Sequence, residues 1–204
     1  MAEQIVQIVQ IGERLAGALL SVMASSEVPS GEVDSRLDAL LATAPEQGQR
    51  LRLGPTEWML VVPVGASSDR AAVSSSTEGL TAAETGWAER LRTRLAGLTV
   101  DVQIVTDAWS VWALTGPSSE LARFIASGTA VDPWSERSRT RGGVRCLLGP
   151  FTVLLRAQGA EELEVWVERS YSDALGLWMR RLALGRTAGC SGGGMVSRGA
   201  VSGT

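Results

Sequence analysis

The chain has 204 residues, 45% hydrophobic and 20% charged, with a formal net charge of −3 and a pI near 5.2. This composition is typical of a globular domain with its own core, and its acidic balance argues against a general nucleic-acid binder, which needs clustered cations. The sequence contains no histidine, lysine or asparagine, so all 19 basic residues are arginine. Histidine-dependent nucleophiles, lysine Schiff bases and phosphate-loop lysines are therefore excluded.

The first third of the chain is predicted to form a strand, two helices and a hairpin. The strand should reach about Ile11, with Gly12 as the joint to a helix, although the β-branched run QIVQIVQI is ambiguous between the two structures. The stripe of that first helix is Leu15, Leu19, Val22 and Met23. A second helix is predicted from Asp34. The Gly54-Pro55 pair marks a hairpin turn before the apolar run 58–62.

A polar excursion and a helix are predicted next. Residues 65–80 are rich in small and polar side chains, a composition typical of a flexible segment. Thr81 and Glu84 have the spacing of a capping box at a helix start. The apolar face of that helix comprises Trp87, Leu91, Leu95 and Leu98.

The second half of the chain reads as strands interrupted by helices. Alternation from Val100 predicts a strand buried on one face, and a second strand should run over 110–115. A helix begins after Gly116-Pro117, because proline suits the first helical turn, and its apolar stripe is Leu121, Phe124 and Ile125. One strand is predicted through 144–156, with 161–169 as its antiparallel neighbour.

The fold is predicted to close with a capped helix. Ser170 and Asp173 are candidate caps, and the buried face of the helix should contain Leu175, Trp178, Met179 and Leu182. Strand pairs with helices returning across them predict an α+β fold of antiparallel sheets covered by helices. We expect one domain over residues 1–185 and a disordered Gly/Ser-rich tail over 186–204.

Compartment and metal content follow from the cysteines and the hydropathy pattern. Cys146 and Cys190 form no CxxC pair, which predicts neither a zinc site nor a disulfide framework and fits a reducing cytoplasm. Cys146, inside an apolar strand, is expected to be an inert buried thiol. The N-terminal residues lack the pattern of a signal peptide, and no run approaches the roughly 18 apolar residues of a membrane span.

The seven tryptophans divide into two predicted groups. Core positions are expected for Trp58, Trp87, Trp112, Trp166 and Trp178. Trp109 and Trp134 lie beside turns with polar neighbours, where a large aromatic side chain often anchors a partner. The segment 132–145 combines Trp134 with four arginines, and it is either a solvated linker or a docking loop. In the docking interpretation Trp134 is the anchor, and acidic groups of a larger subunit meet Arg137, Arg139 and Arg141.

Four segments in order resemble one family. They are LGPTEWMLV, VTDAWSVWALTGPSSELARFIASGTAVD, RCLLGPFTVLLR and LEVWVERSYSDALGLWMRRL. The sequence resembles the gamma subunit of heterotetrameric sarcosine oxidase over roughly residues 51–184. The matching features are the Leu-Gly-Pro-x-Glu-Trp turn at 53–58, the Leu-x-Gly-Pro helix start at 114–117 and the Glu-Arg-Ser strand end at 168–170. The chain departs from the family at 128–130, where Gly-Thr-Ala replaces a frequent Gly-Cys-Pro, and in the length of the excursion at 65–80.

The resemblance implies a fold like the folate-binding domain of the glycine-cleavage aminomethyltransferase. It also implies a structural or assembly subunit that has no catalytic, cofactor-binding or metal-binding residues of its own, so the isolated chain is expected to be inactive. Its implied partners are the alpha, beta and delta subunits of a complex that oxidatively demethylates sarcosine to glycine and transfers the one-carbon unit to tetrahydrofolate. FAD and FMN would lie with beta, NAD and tetrahydrofolate with alpha, and zinc with delta.

Two alternatives stay open from the sequence. The complex could oxidise another N-methylated or secondary amino acid, since the same subunit plan serves several substrates. The chain could instead be a free-standing folate-binding module, which would need a carboxylate for the pterin nitrogens and an apolar slot for the ring. Glu57 and Asp107 are the carboxylates nominated for that role, although a turn position explains each of them as well.

Overall fold

The computed structural model describes residues 10–14, 18–43, 48–62 and 77–189. Their strands form two antiparallel sheets. The four-stranded sheet has the order β3-β4-β2-β5, with β2 at Ala18–Ala24, β3 at Gln49–Arg52, β4 at Glu57–Val62 and β5 at Val100–Ile104. The five-stranded sheet has the order β1-β6-β9-β8-β7, with β1 at Gln10–Arg14, β6 at Trp109–Thr115, β7 at Val144–Leu148, β8 at Phe151–Ala157 and β9 at Glu162–Glu168.

Five α-helices complete the described part of the chain. They are α1 at Ser30–Thr43, α2 at Thr77–Arg94, α3 at Ser118–Ala126, α4 at Glu136–Thr140 and α5 at Ser172–Gly189. The predicted α+β class with antiparallel sheets covered by helices is confirmed.

The molecule is built in four layers, because each sheet buries both of its faces. Helices α1 and α2 pack on the four-stranded sheet, where Leu37 and Trp87 meet Leu60. Helices α3 and α5 pack on the five-stranded sheet in the same way. The inner faces of the two sheets meet in a third core cluster, to which the four-stranded sheet contributes Met59 and the five-stranded sheet contributes Trp166. Alternate residues of a strand therefore enter different cores.

The predicted first helix is wrong. Residues 10–14 and 18–24 are strands, whereas a strand to Ile11 followed by a helix was expected. The physical reason is that β2 is central and buried on both faces: Leu19 faces the other sheet, while Leu20 and Val22 face the helices. A run that is apolar on both sides carries no period of two, so its spacing also satisfies a helical stripe.

Two further boundaries differ from the predictions. Helix α2 begins at Thr77, so Thr81 and Glu84 lie inside it and do not form a capping box. Residues 63–76, most of the predicted excursion, lie outside the described residues. The predicted single strand over 144–156 is the hairpin β7–β8, which turns at Gly149 with φ +57°.

Three other predicted elements are confirmed. The Gly54-Pro55 hairpin, the helix after Pro117 and the pairing of β8 with β9 all occur. Helix α5 continues to Gly189, so the first residues of the predicted tail over 186–204 are helical, and residues 190–204 lie outside the described residues. The expected core tryptophans Trp58, Trp87, Trp112 and Trp166 are buried, while Trp178 is half-buried against Phe151.

Candidate functional site

The segment 132–145 contains a short helix, α4, that the sequence pattern did not indicate. Ser135 caps this helix by accepting a hydrogen bond from the backbone N–H of Ser138 at 3.4 Å. The hydroxyl of Ser138 in turn donates to the carbonyl of Asp132 at 3.0 Å. This helix is stabilised by polar capping, and its sequence therefore has no apolar stripe from which it could be predicted.

Trp134 is partly used inside the molecule. Its indole N–H donates to the carbonyl of Gly159 at 2.8 Å, and its ring packs against the core between the five-stranded sheet and its helices. Only part of the side chain is therefore available to a partner. A Trp134→Ala variant would remove core packing together with any docking contact.

Trp109 lies far from Trp134. It begins β6, is half-buried against the core between the sheets, and pairs with Glu168. The turn that contains Gly159 lies at the other end of the β6–β9 pair, where Gly116 donates to Glu161. Seven residues of strand separate these ends, about 20 Å. The two tryptophans cannot belong to one compact anchor.

The three arginines predicted for the interface are exposed around α4. Arg137 and Arg139 lie in the helix, and Arg141 follows it and accepts a backbone hydrogen bond from Arg52 at 2.9 Å. Within the described part of the chain the guanidinium groups of Arg137, Arg139 and Arg141 make no ion pair or hydrogen bond. Of the three, Arg139 lines a cavity.

That cavity lies between α4, strand β3 of the four-stranded sheet and the end of β8 in the five-stranded sheet, and it has a volume of about 280 Å³. Arg139 and Ser138 line it from α4, Arg156 from β8 and Gln49 from β3, with Gly142 and Gly143 contributing backbone. A larger, open groove of about 720 Å³ lies between α1 and α2 and is lined by Arg36, Arg90 and Arg94 among others. Arg36 spans part of that groove, since it donates to the carbonyls of Arg94 and Ala96 at 3.4 and 2.9 Å.

A buried ion pair lies beside the smaller cavity. Arg156 donates to Glu164 at 3.2 Å, and the indole N–H of Trp166 donates to the same carboxylate oxygen at 3.0 Å. The two charged side chains are only 8% and 6% exposed. Sequence reasoning missed this pair, although charged residues at inward positions of the apolar strands LLRA and LEVW were a usable signal.

The carboxylates nominated for a folate site are not brought together. Glu57 opens β4 and accepts from Arg145 at 3.4 Å, close to Met23 at one end of β2. Asp107 is exposed in the short 3-10 turn beside Thr106, which binds the N–H of Leu19 at the other end of β2. These ends of the strand are about 13 Å apart. Neither carboxylate lines the two cavities.

The remaining candidates for chemistry are metal-ligating clusters and the thiol of Cys146. In the part of the chain that the structure describes, no group of three or more cysteine, aspartate or glutamate side chains could hold a metal ion. Cys146 is half-buried in β7, and burial raises the pKa of its thiol, against a hydrogen bond with Thr129 that lowers it. Its thiolate population at neutral pH is therefore small, in line with the expected inert role.

None of the described helices combines the length and apolarity that a membrane crossing needs.

Solved structures share this fold. A chain of the heterotetrameric sarcosine oxidase from Corynebacterium sp. U-96 superposes with a TM-score of 0.60 at 17% identity, over 87% of this chain and 84% of that one. The glycine cleavage system aminomethyltransferase T from Bartonella henselae gives 0.49 at 17% identity, over 88% of this chain and 46% of that one. The regulatory subunit of aspartate kinase from Thermus thermophilus gives 0.49 at 12% identity, over 86% and 97%. The sequence matches no family model and no curated protein.

Proposed function

We propose that this chain is a non-catalytic structural and assembly subunit, of the gamma type, in a heterotetrameric sarcosine oxidase complex. The observation that supports it most is the likeness to a chain of such an oxidase over 87% of this chain and 84% of that one. The match covers most of two chains of comparable length. A shared domain inside a much larger polypeptide would leave most of the longer chain uncovered.

The roles of the buried polar groups support a structural role. Glu84 accepts a hydrogen bond from Thr106, which joins α2 to the turn after β5. The Arg156–Glu164 pair joins β8 to β9, and the indole of Trp112 donates to Ser172 at 3.1 Å, which joins β6 to α5. Each group joins one element to another, as is usual for buried polar groups that stabilise a fold.

The proposal assigns chemistry to the partners. The alpha, beta and delta subunits would hold FAD, FMN, NAD, tetrahydrofolate and zinc, and this chain would contribute a rigid surface that stabilises their arrangement. Its exposed arginines suit that role, because planar guanidinium groups form bidentate pairs with carboxylates and are common at interfaces. The complex would convert sarcosine to glycine and pass the one-carbon unit to tetrahydrofolate.

The test is removal of the chain from its host. Extracts of the deletion strain should lose sarcosine-dependent glycine formation, and the wild-type chain supplied in trans should restore it. Loss of activity toward a different N-methylated or secondary amino acid would assign the chain to a related complex. Unchanged oxidation of all these substrates would contradict the assembly role, and folate binding by the purified chain would then favour a free-standing module.

A further inference from the structure

The cavity between α4 and β8 carries one positive charge that has no carboxylate partner among the described residues. That charge belongs to Arg139, which is exposed and lines the cavity from α4. Arg156 is buried and lines it from β8, where Glu164 balances its charge at 3.2 Å. The remaining polar lining, from Gln49, Ser138 and Gln158, is uncharged. The charge of Arg139 therefore favours an anion at this cavity.

The walls of this cavity are fixed by backbone contacts. Gly142 has φ +75°, and a Cβ at this position would lie 2.7 Å from the carbonyl oxygen of Arg50 in β3. A Cβ on Gly143 would lie 3.0 Å from the carbonyl oxygen of Leu155 in β8. The end of α4 is thus pressed against both sheets, so the backbone that carries Arg139 needs little ordering when a ligand binds.

We infer that this cavity, called here the arginine socket, receives a carboxylate side chain from a neighbouring subunit. The inference rests on the proposed function, since it requires that the chain be assembled with larger partners. A volume of about 280 Å³ is close to the lower end of the roughly 300–1,000 Å³ of ordinary small-molecule sites. It is large enough for one side chain, and Arg139 is exposed, so its charge is accessible to a side chain that protrudes from a partner.

A carboxylate is the anion that suits this arrangement. An arginine side chain presents a planar fork of N–H donors that matches the two oxygens of aspartate or glutamate. Docking would bury the arginine–carboxylate pair away from water. Buried charge pairs of this kind act mainly by slowing dissociation. The inferred occupant is therefore an aspartate or glutamate at the tip of a partner loop.

Helix α4 offers a matched pair of variants for the test. Arg137 and Arg139 are both exposed, both lie in the same five-residue helix and both carry one positive charge, but only Arg139 lines the arginine socket. Arg139→Glu and Arg137→Glu change the net charge equally. Thermal unfolding of the isolated chains should show that both variants fold.

The affinity of each purified chain for its partner subunits, captured from the host with wild-type chain as bait, is then measured by biolayer interferometry. Arg139→Glu should weaken binding about thirtyfold or more, and Arg137→Glu less than about threefold. Arg139→Gln should weaken binding without reversing the charge, which covers the case in which Arg139→Glu does not fold. Equal losses for Arg137→Glu and Arg139→Glu, or no loss for either, would overturn the socket while leaving the assembly role intact.

Two further outcomes are informative. One distinguishes a free carboxylate ligand from a partner's side chain, and the other distinguishes failure of the socket from failure of the proposed function. Binding of free succinate to the wild-type chain, lost in Arg139→Glu while partner affinity is unchanged, would reassign the cavity to a small ligand and overturn the inference. Failure of the wild-type bait to capture any partner would contradict the proposed function, and the socket with it.

Discussion

Single residues set the fit between the layers, and glycines show this most clearly. Gly176 lies in α5 against the ring of Trp112, and a Cβ there would come within 2.6 Å of two ring carbons. The indole cannot move away cheaply, because it is buried and donates to Ser172. Glycine is needed here for close approach, even though it is the poorest ordinary helix former after proline.

Gly176→Ala should therefore destabilise the protein, by about 1–3 kcal/mol, because overpacking outweighs the gain in helix propensity. The matched control is Gly86→Ala in α2, where a Cβ would meet nothing within 4 Å. That variant should be neutral or more stable by up to about 1 kcal/mol. Urea unfolding of both variants gives the comparison, and a stabilised Gly176→Ala variant would show that Trp112 can shift.

The buried pair Arg156–Glu164 gives a second test at this scale. Glu164→Leu leaves the Arg156 charge buried without its carboxylate, and we expect a loss of about 3–5 kcal/mol in the free energy of unfolding. The double variant Arg156→Leu with Glu164→Leu should lose less than the sum of the two single variants. Additive losses in the same urea experiment would mean that the two charges do not depend on each other.

Elements were predictable from the sequence where one face is apolar and the other polar. The stripe through Trp87, Leu91 and Leu95 and the one-sided strand β5 have clear periods of 3.6 and 2. Strand β2 was mistaken for a helix because it is buried on both faces. Helix α4 was missed because capping by Ser135, with no apolar stripe, forms it.

The candidate site was only partly predictable. The arginine-rich segment 132–145 was recognisable as a surface feature, and Arg139 was among its named residues. The cavity itself depends on pairing of that segment with β3 and β8, which brings Arg156 and Gln49 beside Arg139. No local pattern encodes such a juxtaposition, since the three residues are widely separated in the sequence.

Asp34 attaches helix α1 to the four-stranded sheet, and its replacement tests that attachment. Asp34 accepts hydrogen bonds from the indole of Trp58 at 2.7 Å, from Arg52 at 3.0 Å and from Arg50. Asp34→Ala leaves the indole N–H of a buried tryptophan without its acceptor, and we expect a loss of about 2 kcal/mol.

Asp38→Ala is the control for this prediction. Asp38 lies in the same helix and binds Arg50 at 2.8 Å, but its side chain is 58% exposed. Its loss should cost about 0–1 kcal/mol, the usual range for a surface ion pair. Thermal or urea unfolding that ranks the two variants equally would show that the Asp34 network does not hold α1 in place.

At the scale of the whole molecule, the four layers bury three cores within the described ranges. The segment 190–204 lies beyond them, and its sequence is dominated by glycine and serine. Such a segment offers little apolar surface to offset an ordering entropy of about 1–2 kcal/mol per residue. Deletion of 190–204 should leave the thermal midpoint unchanged by scanning calorimetry, whereas a fall of many degrees would show that this segment contributes to a core.

Whether this chain belongs to a larger assembly can be decided from the mass of the particle that contains it. The chain is tagged, isolated from its host under gentle conditions and measured by native mass spectrometry, with the same tag on an unrelated host protein as control. We expect one copy of this chain in a particle far heavier than its own 21.5 kDa, together with larger, flavin-absorbing chains. Recovery of the chain alone at 21.5 kDa, or as copies of itself only, would refute the assembly role.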